Sequence, residues 1–556
     1  MKNTILTLLG LVICLLVSAQ QNAKVEAMAS LGEIWGFLKY YHPQIADGSK
    51  NWDSVLMADL PLVAADPSPQ QWQQTVQKWL SDAGPVAECR KCTKIKGDTS
   101  LRNLDLAFLE EAPLLTQDLK TQLAFIKDNR FQGKSYYAVP SRWNGPVSFE
   151  NETPYFDELY PSKEMRALAL FRYWNAIQYY FPYRYLLKED WHAVLRRYVL
   201  EIYEAPDQLT YHLLMRKLTA EIYDSHSFFA STTWNYSQGK YRLLARPAFV
   251  EGKFIIKSVI PDSSGQVYPL EPGDVILTVD GVGVDTLRER LTPYLVSSNE
   301  ITSMRKVSNW LLVGENESMS IEIERDGKRH SYELKAVGVK AYHEIAALSA
   351  PGDSVPKWEK RKDNIGYVDM GRLVREEVDE MMADLMDCPA IIFDVRNYPR
   401  STYRKITDYL NPDRRPFATF LYPDSKYPGR FIWYESPYQV GKRKNKDYYQ
   451  GKVIVLQNET TQSHAEFTIM AFETAPNCTI IGSQTAAADG NVTIIKLPGG
   501  ITAYFTGLGV YYPDRAETQQ VGIQADIEVK PTIEGIRQGK DEVLEAAIKW
   551  AKEAKI

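Results

Sequence analysis

The sequence predicts a multidomain α/β protein with an N-terminal helical repeat region, a β-rich domain and a C-terminal α/β core. Three observations carry this prediction. A helical segment is repeated in the first 240 residues, short strands and turns follow from about 240 to 340, and strands alternate with helices from about 363 onward. A chain of 556 residues is too long for one hydrophobic core, so several domains are expected.

The N-terminal region contains two similar segments. EIWGFLKYYHP at 33–43 resembles RYWNAIQYYFP at 172–182, and each copy has a second tryptophan at the same later position. This spacing indicates duplicated helical packing units, which we expect at 20–160 and 161–240. Only the second copy continues into Asp224-Ser225-His226-Ser227, so it carries reactive side chains that the first copy lacks.

Residues 1–19 have the features of a secretory signal peptide. Lys2 precedes an apolar stretch, and Val17-Ser18-Ala19 is a small-residue cleavage site. The stretch is short for a membrane span, and no later segment reaches the roughly 20 apolar residues that a span needs. We therefore expect export across the inner membrane to the periplasm or outside, with no integral span after cleavage. The bulky Ile13 before Cys14 makes a lipoprotein the less favoured alternative.

Composition narrows the classes of partner and cofactor. The net charge is −5 and no long basic cluster is present, which disfavours nucleic-acid binding. Cys89 and Cys92 form a single CxxC, a poor zinc site because zinc takes four ligands. In an exported chain a local disulfide is favoured there, with free thiols as the alternative. No metal or cofactor is expected.

Residues 241–342 resemble a PDZ domain. EPGDVILTVDG is the most recognisable stretch, and Asp326-Gly327 marks the turn of a hairpin. Such domains capture an extended peptide by strand addition at a sheet edge, so a peptide or protein partner is expected.

The α/β core, expected at 343–556, contains a serine where the strand KVIVLQN meets a helix. Ser463 has two interpretations. It is a preferred N-cap residue, with Glu466 three residues later completing a capping box. It is also suited to be a nucleophile at a helix N-terminus, where the backbone N–H of His464 would stabilise an oxyanion.

A serine nucleophile needs a base and supporting groups. His226 is the candidate base; His464 is a rival, but neighbouring side chains at a helix start point apart. The loop Asn397-Tyr398 follows a strand end and could supply a second oxyanion N–H. Asp224 and Glu517 are both candidates to orient the histidine, and the sequence does not choose between them.

Together these segments resemble the S41 family of serine peptidases, the tail-specific proteases, from about residue 160 to the end. The resemblance implies a PDZ domain before a ClpP/crotonase-like protease core. It also implies a Ser-x-x-Glu nucleophile motif, here Ser463-His464-Ala465-Glu466. FDVRNYPR resembles the family's glycine-rich oxyanion loop, with Asn397 in place of glycine.

The resemblance further selects between two catalytic styles. The loop at 485–490 lacks the lysine of the bacterial processing proteases, whereas Ser225-His226 matches the histidine base of the tricorn-like branch, with Ser225 supporting. The third member in that branch corresponds to Gln519, with Glu517 two residues earlier.

We therefore expect an exported serine endopeptidase that uses Ser463 and His226. Two alternatives stay open: a catalytically weak or inactive peptide-binding scaffold on the same fold, and a peptidase whose base is Lys496.

Overall fold

The computed structural model describes residues 2–92, 97–140, 145–261, 268–348 and 355–553, and residues 2–17 by their backbone alone. The chain forms helices and several sheets, so the predicted mixed α/β architecture is confirmed. The predicted signal segment falls mostly on residues whose side chains are not described. Within the described residues, no helix combines the length and apolarity needed to cross a membrane.

The N-terminal part is helical. Its helices are α1 Lys2–Tyr41, α2 Pro43–Ala46, α3 Trp52–Ala65, α4 Pro69–Ala83, α5 Phe108–Glu111, α6 Gln117–Asp128, α7 Lys163–Tyr180, α8 Trp191–Tyr203, α9 Gln208–Ala220 and α10 Thr232–Gln238. Two short strands lie among them, β1 Thr99–Ser100 and β2 Phe229–Ala230. Cys89 and Cys92 form the predicted disulfide.

Each of the two similar segments closes on itself through its tryptophans. The Trp35 and Trp52 indoles donate to each other's carbonyl oxygens at 3.0 and 2.9 Å. Trp174 and Trp191 do the same at 2.7 and 3.0 Å. All four are at most 1% exposed, so each exchange satisfies buried polar groups in the same way in both segments.

The two segments then pack against each other. Gly36 lies in α1 against Asn175 in α7, where a Cβ on Gly36 would sit 1.8 Å from Asn175 Oδ1. Charged side chains join the same interface. His192 contacts Glu33 at 2.8 Å, and Arg172 pairs with Asp53.

A central β unit follows. Its strands are β3 Tyr241–Arg242, β4 Ala245–Val250, β5 Lys253–Val259, β6 Val275–Val279, β7 Val282–Gly283, β8 Val313–Gly314, β9 Ser318–Arg325, β10 Lys328–Lys335 and β11 Val337–Gly338. Its helices are α11 Val284–Leu291, α12 Glu300–Leu311 and α13 Val339–Leu348. The main sheet has the order β10-β9-β6-β5-β4, so β4 is an edge strand, and α12 packs beside it. The predicted hairpin at Asp326-Gly327 is confirmed as β9–β10.

The C-terminal core contains strands β12 Trp358–Lys360, β13 Ile365–Asp369, β14 Ala390–Asp394, β15 Arg415–Pro423, β16 Phe431–Trp433, β17 Tyr438–Val440, β18 Lys452–Gln457, β19 Cys478–Gly482, β20 Val492–Leu497, β21 Ile501–Thr506, β22 Gly509–Tyr511 and β23 Ile527–Glu528. Its helices are α14 Val378–Leu385, α15 Tyr403–Leu410, α16 His464–Phe472, α17 Ile533–Arg537 and α18 Glu542–Glu553.

The central sheet of this core has the order β12-β13-β14-β18-β19-β23 and is parallel from β13 to β23. Strands β14 and β18 are buried along their whole length, as their near-continuous apolar runs require for a sheet covered on both faces. The loops that follow the carboxyl ends of these two strands meet at one edge. Thr460 and Thr461 donate to the carbonyls of Arg396 and Val395 there, at 2.6 and 3.1 Å.

Candidate active site

Ser463 is held in an unusual backbone conformation directly before α16. Its φ is 60° and its ψ −125°, a region that side-chain-bearing residues rarely adopt. Its N–H donates to the Ala488 carbonyl at 2.9 Å and to the Glu466 carboxylate at 3.1 Å. The serine is half-buried. It is therefore both the N-cap residue of α16 and a fixed hydroxyl at a helix N-terminus.

Glu466 ties the serine to the loop opposite. It is 1% exposed, and it accepts the N–H groups of Ala487 and Ala488 at 2.9 and 3.1 Å and the hydroxyl of Thr485. Burial raises the pKa of Glu466 to about 7, while these donors oppose that rise. The loop at 485–488 is thus fixed against the start of α16.

His226 is held through Thr506. Its Nδ1 lies 3.1 Å from Thr506 Oγ1, and that hydroxyl donates to Asp224 Oδ1 at 3.1 Å. Because the only hydroxyl proton of Thr506 is used on Asp224, its oxygen must accept from His226. This network assigns the proton to Nδ1 and leaves Nε2 as an acceptor.

Asp224 is the charged end of this chain of hydrogen bonds. It is fully buried and also accepts the N–H of His226 at 3.0 Å, the N–H of Thr506 at 2.7 Å and the Gln519 amide at 3.2 Å. The sequence suggested Asp224 as a partner for the histidine. In the structure the Thr506 hydroxyl links the Asp224 carboxylate to the His226 imidazole, and the sequence did not indicate this threonine. A lone threonine on a strand carries no pattern that would have identified it.

A hydrogen bond joins the segment that bears Ser463 to the segment that bears His226, at the residues directly before these two. Gln462, directly before the serine, donates to the carbonyl of Ser225, directly before the histidine, at 3.3 Å. Helix α12 contacts both Gln462 and Ser225. Its Arg305 donates to the Gln462 side chain at 3.2 Å, and its Lys306 donates to the Ser225 carbonyl at 3.2 Å. Ser225 also exchanges two 2.8 Å hydrogen bonds with Ser298.

The surroundings of His226 shift the pKa of its imidazole. Burial lowers the pKa of His226, and nearby Lys306 lowers it further, whereas Asp224 raises it. Burial also lowers the pKa of Lys306, to about 7. The neutral imidazole, which can accept a proton, is therefore favoured.

Glu517, a candidate from the sequence to orient His226, contacts other side chains in the structure. Its carboxylate accepts from Tyr185 at 2.5 Å and from Arg102 at 3.2 Å, so it is committed to other partners. Gln519 contacts Asp224 and not the imidazole. The segment that carries both residues is not a regular strand, because Arg515 and Gln520 have φ values of 71° and 63°.

The candidate oxyanion donors lie on two loops. The N–H groups of His464, Asn397 and Tyr398 donate to none of the described residues. Asn397 is fixed by its amide, which donates to Asp369 at 2.6 Å. The His464 ring packs among aromatic side chains, with its centroid 5.5 Å from that of Tyr403, and burial lowers its pKa.

Two further sequence expectations can be located. Lys496 is exposed on β20, paired across the hairpin with Thr502. Within the described part of the chain, no group of three or more His, Cys, Asp or Glu side chains is arranged to hold a metal ion.

Comparisons with known proteins bear on the family and the fold of the chain. Residues 364–529 match the model of peptidase family S41. The structure of mature CPAF complexed with lactacystin is similar, with a TM-score of 0.54 and 14% identity over 70% of this chain and 98% of that one. This similarity shows a shared fold.

Two other solved structures are similar at lower scores. A putative peptidase from Parabacteroides merdae has a TM-score of 0.43 and 18% identity, over 71% of this chain and 98% of that one. The photosystem II D1 C-terminal processing protease has a TM-score of 0.39 and 16% identity, over 68% and 98%. No curated protein sequence matches the chain. Residues 364–529 thus match peptidase family S41, and the chain is a serine-type peptidase, a hydrolase.

Proposed function

We propose that the chain is an exported endopeptidase that cleaves peptide or protein substrates through an acyl-enzyme, with Ser463 as nucleophile and His226 as base. The observation that carries this proposal is the hydrogen bond from Gln462 to Ser225, which joins the residues directly preceding the two catalytic ones. The strained backbone of Ser463 supports the same assignment, as does the Nε2 of His226, which hydrogen-bonds to none of the described residues.

The proposed reaction proceeds in two acyl-transfer steps. Ser463 Oγ attacks the substrate carbonyl while His226 Nε2 takes its proton, and the oxyanion is bound by the N–H of His464 with that of Asn397 or Tyr398. Nε2 then gives the proton to the leaving amine. Water, activated by the same nitrogen, releases the acyl group and restores Ser463.

Thr506 and Asp224 are the proposed positioning residues. Asp224 is a buried carboxylate that reaches the imidazole only through the Thr506 hydroxyl. It would stabilise the imidazolium formed during attack, and the hydroxyl would hold the ring in the tautomer that exposes Nε2. In this proposal Asp224 takes the place that Glu517 or Gln519 was expected to fill.

The central β unit is proposed to be a PDZ-like domain that binds the substrate chain. Within the described residues, edge strand β4 pairs with a strand on one side only, and α12 packs beside it, so a peptide strand could add there. A cavity of about 750 Å³ extends from Phe249 and Met304 of this unit to Ser483 of the core. A bound strand would therefore lie between the two domains.

Labelling of the serine tests the proposal directly. A serine-directed phosphonate is expected to label Ser463 in the intact protein, because attack on phosphorus needs both the nucleophile and the base. Labelling should be lost in Ser463→Ala and strongly reduced in His226→Ala, as measured by intact mass and peptide mapping. Lys496→Met is the matched control and should be labelled like the unaltered chain.

Two outcomes would contradict the proposal. Unaltered labelling in His226→Ala with loss in Lys496→Met would assign the base to the lysine. Absence of both labelling and peptide turnover, with peptide binding retained, would favour the scaffold alternative.

The pH dependence tests the assignment of the base. Because the pKa of His226 is lowered from 6.5, kcat/KM should rise with pH through a value below 6.5 and be level at neutral pH. Lys306→Met removes a positive charge that opposes protonation of His226, so the acid limb should move to higher pH. Lys306→Arg keeps the charge and should leave the limb near its original position. A limb unaffected by Lys306→Met would argue against this electrostatic account.

A further inference from the structure

Two neighbouring loops of the C-terminal core carry an exposed basic patch. One contributes Arg414 and Arg415 at the start of β15, and the other contributes Lys442, Arg443, Lys444 and Lys446 after β17. All six side chains are exposed. We refer to these six residues as the basic patch.

Backbone and side-chain contacts hold the two loops together. The N–H of Asn445 donates to the Pro412 carbonyl at 2.8 Å, and its side-chain amide donates to the carbonyls of Asp408 and Asn411, both at 3.0 Å. Arg415 lies opposite Val440 in the β15–β17 pairing. The cations are therefore grouped by the fold and not only by the sequence.

The charges of the basic patch are largely uncompensated. Within the described residues, none of the six forms an ion pair. The neighbouring carboxylates Asp408, Asp413, Asp447 and Asp379, the last of which has its pKa lowered in part by Lys442, are fewer than the six cations. Burial raises the pKa of Asp408, and Lys442 and Arg414 are close enough to oppose that rise. Such a surplus stands out in a chain whose net charge is −5.

Helix α15 connects the basic patch to the candidate active site. At its first residue, the Tyr403 ring centroid lies 5.5 Å from that of His464, the neighbour of Ser463. At its other end, Asn411 meets the loop of Asn445. Eight helical residues span about 12 Å. Exposed Arg404, 5.5 Å from the Tyr438 ring, continues the positive charge along this path.

We propose that the basic patch is an exosite that binds an acidic segment of the polypeptide substrate, several residues away from the bond that is cleaved. This inference rests on the proposed function. An extended chain advances about 3.3 Å per residue, so a distance of 12 Å or somewhat more corresponds to about four to eight residues. Opposite charge at this distance would raise the rate of substrate capture and lower KM.

An acidic polypeptide fits the basic patch better than a lipid surface does. Peripheral membrane binding combines basic residues with large apolar side chains that enter the headgroup region. The exposed large hydrophobic residues of the chain include none in 411–416 or 438–449. The basic patch therefore presents positive charge without large apolar side chains, and positive charge is what attracts a run of Asp or Glu residues.

The experiment compares quenched peptides that share one cleavable core and differ in a four-residue run placed at increasing distances from it. The run is glutamate or, in the matched peptide, glutamine. The variant Arg443→Glu/Lys444→Glu/Lys446→Glu is compared with Lys134→Glu/Lys328→Glu/Lys549→Glu, which changes net charge equally at exposed sites that form no ion pair within the described residues. Binding is also measured by fluorescence anisotropy in the Ser463→Ala background, so that capture is observed without cleavage.

The glutamate peptide should have a KM about tenfold lower than the glutamine peptide, at a spacing of about four to eight residues and at low salt. The patch variant should abolish that difference with kcat nearly unchanged, and the control variant should keep it. Equal effects of the two variants, or no preference for glutamate at any spacing, would overturn the exosite. So would loss of binding to phosphatidylglycerol vesicles in the patch variant without any change for the peptides.

The anisotropy measurement separates the two proposals. Retained binding of the glutamate peptide without turnover in the unaltered chain would contradict the proposed function and support the exosite. Turnover without charge dependence would do the reverse.

Discussion

Replacing Thr506 by valine is expected to lower kcat about 10²–10⁴-fold, with little change in KM. The hydroxyl accepts from His226 Nδ1 at 3.1 Å and donates to the buried Asp224, so valine removes both hydrogen bonds at nearly constant volume. Without the acceptor, the imidazole can carry its proton on Nε2, which then cannot take the proton of Ser463. Initial rates on a quenched peptide, with kcat and KM separated, measure the effect.

Two companion variants define the control for this prediction. Thr506→Ser restores a hydroxyl at the same position and should recover most of kcat. Thr502→Val lies on the same strand β21, paired with Lys496 and away from Asp224, and should leave kcat nearly unchanged. An unaltered kcat in a folded Thr506→Val protein, judged by thermal unfolding, would contradict the role of the threonine.

Replacing Arg172 by methionine is expected to destabilise the chain by about 3–5 kcal/mol. Arg172 is 1% exposed and pairs with Asp53 and, at 3.1 Å, with Glu152. Lys39, fully buried, is the other cation, 2.5 Å from Glu152 and 3.8 Å from Asp53. The substitution would leave two buried carboxylates with one cation. Urea unfolding followed by fluorescence measures the change.

Arg197→Met is the matched control, because it removes the same side chain from an exposed pair. Arg197 contacts Glu189 and Glu221 with its side chain 43% exposed, and such pairs contribute about 0–1 kcal/mol. Similar losses in the two variants would show that the buried cluster adds nothing beyond ordinary side-chain packing.

The sequence predicted the parts of the fold that depend on local pattern. Buried strands β14 and β18, the helix start after Ser463 and the β9–β10 hairpin follow from apolar runs, capping residues and an Asp-Gly turn. The Cys89–Cys92 disulfide followed from spacing and the expected compartment.

The candidate site was less predictable because it depends on contacts between distant segments. The pairing of β2 with β21 brings Thr506 next to His226, and no local sequence pattern predicts that pairing. Glu517 and Gln519 contact other groups than the imidazole, on a segment that positive φ at Arg515 and Gln520 interrupts. The serine and the histidine could be predicted from their local sequence, whereas the threonine that holds the histidine could be identified only from the long-range topology of the fold.

The charged contacts between the two similar helical segments favour association of the first segment with the second over association of two identical segments. Glu33 and Arg172 occupy equivalent positions in the two segments, as do Asp53 and His192, and the observed contacts are Glu33 with His192 and Arg172 with Asp53. The two neighbouring carboxylates of His192 raise its pKa to about 9, so it is charged at neutral pH. If two first segments met in the same geometry, Glu33 would face Asp53; two second segments would bring Arg172 to His192. Like charges would therefore repel in either self-association, so the charges of each segment complement those of the other segment and repel those of a second copy of itself.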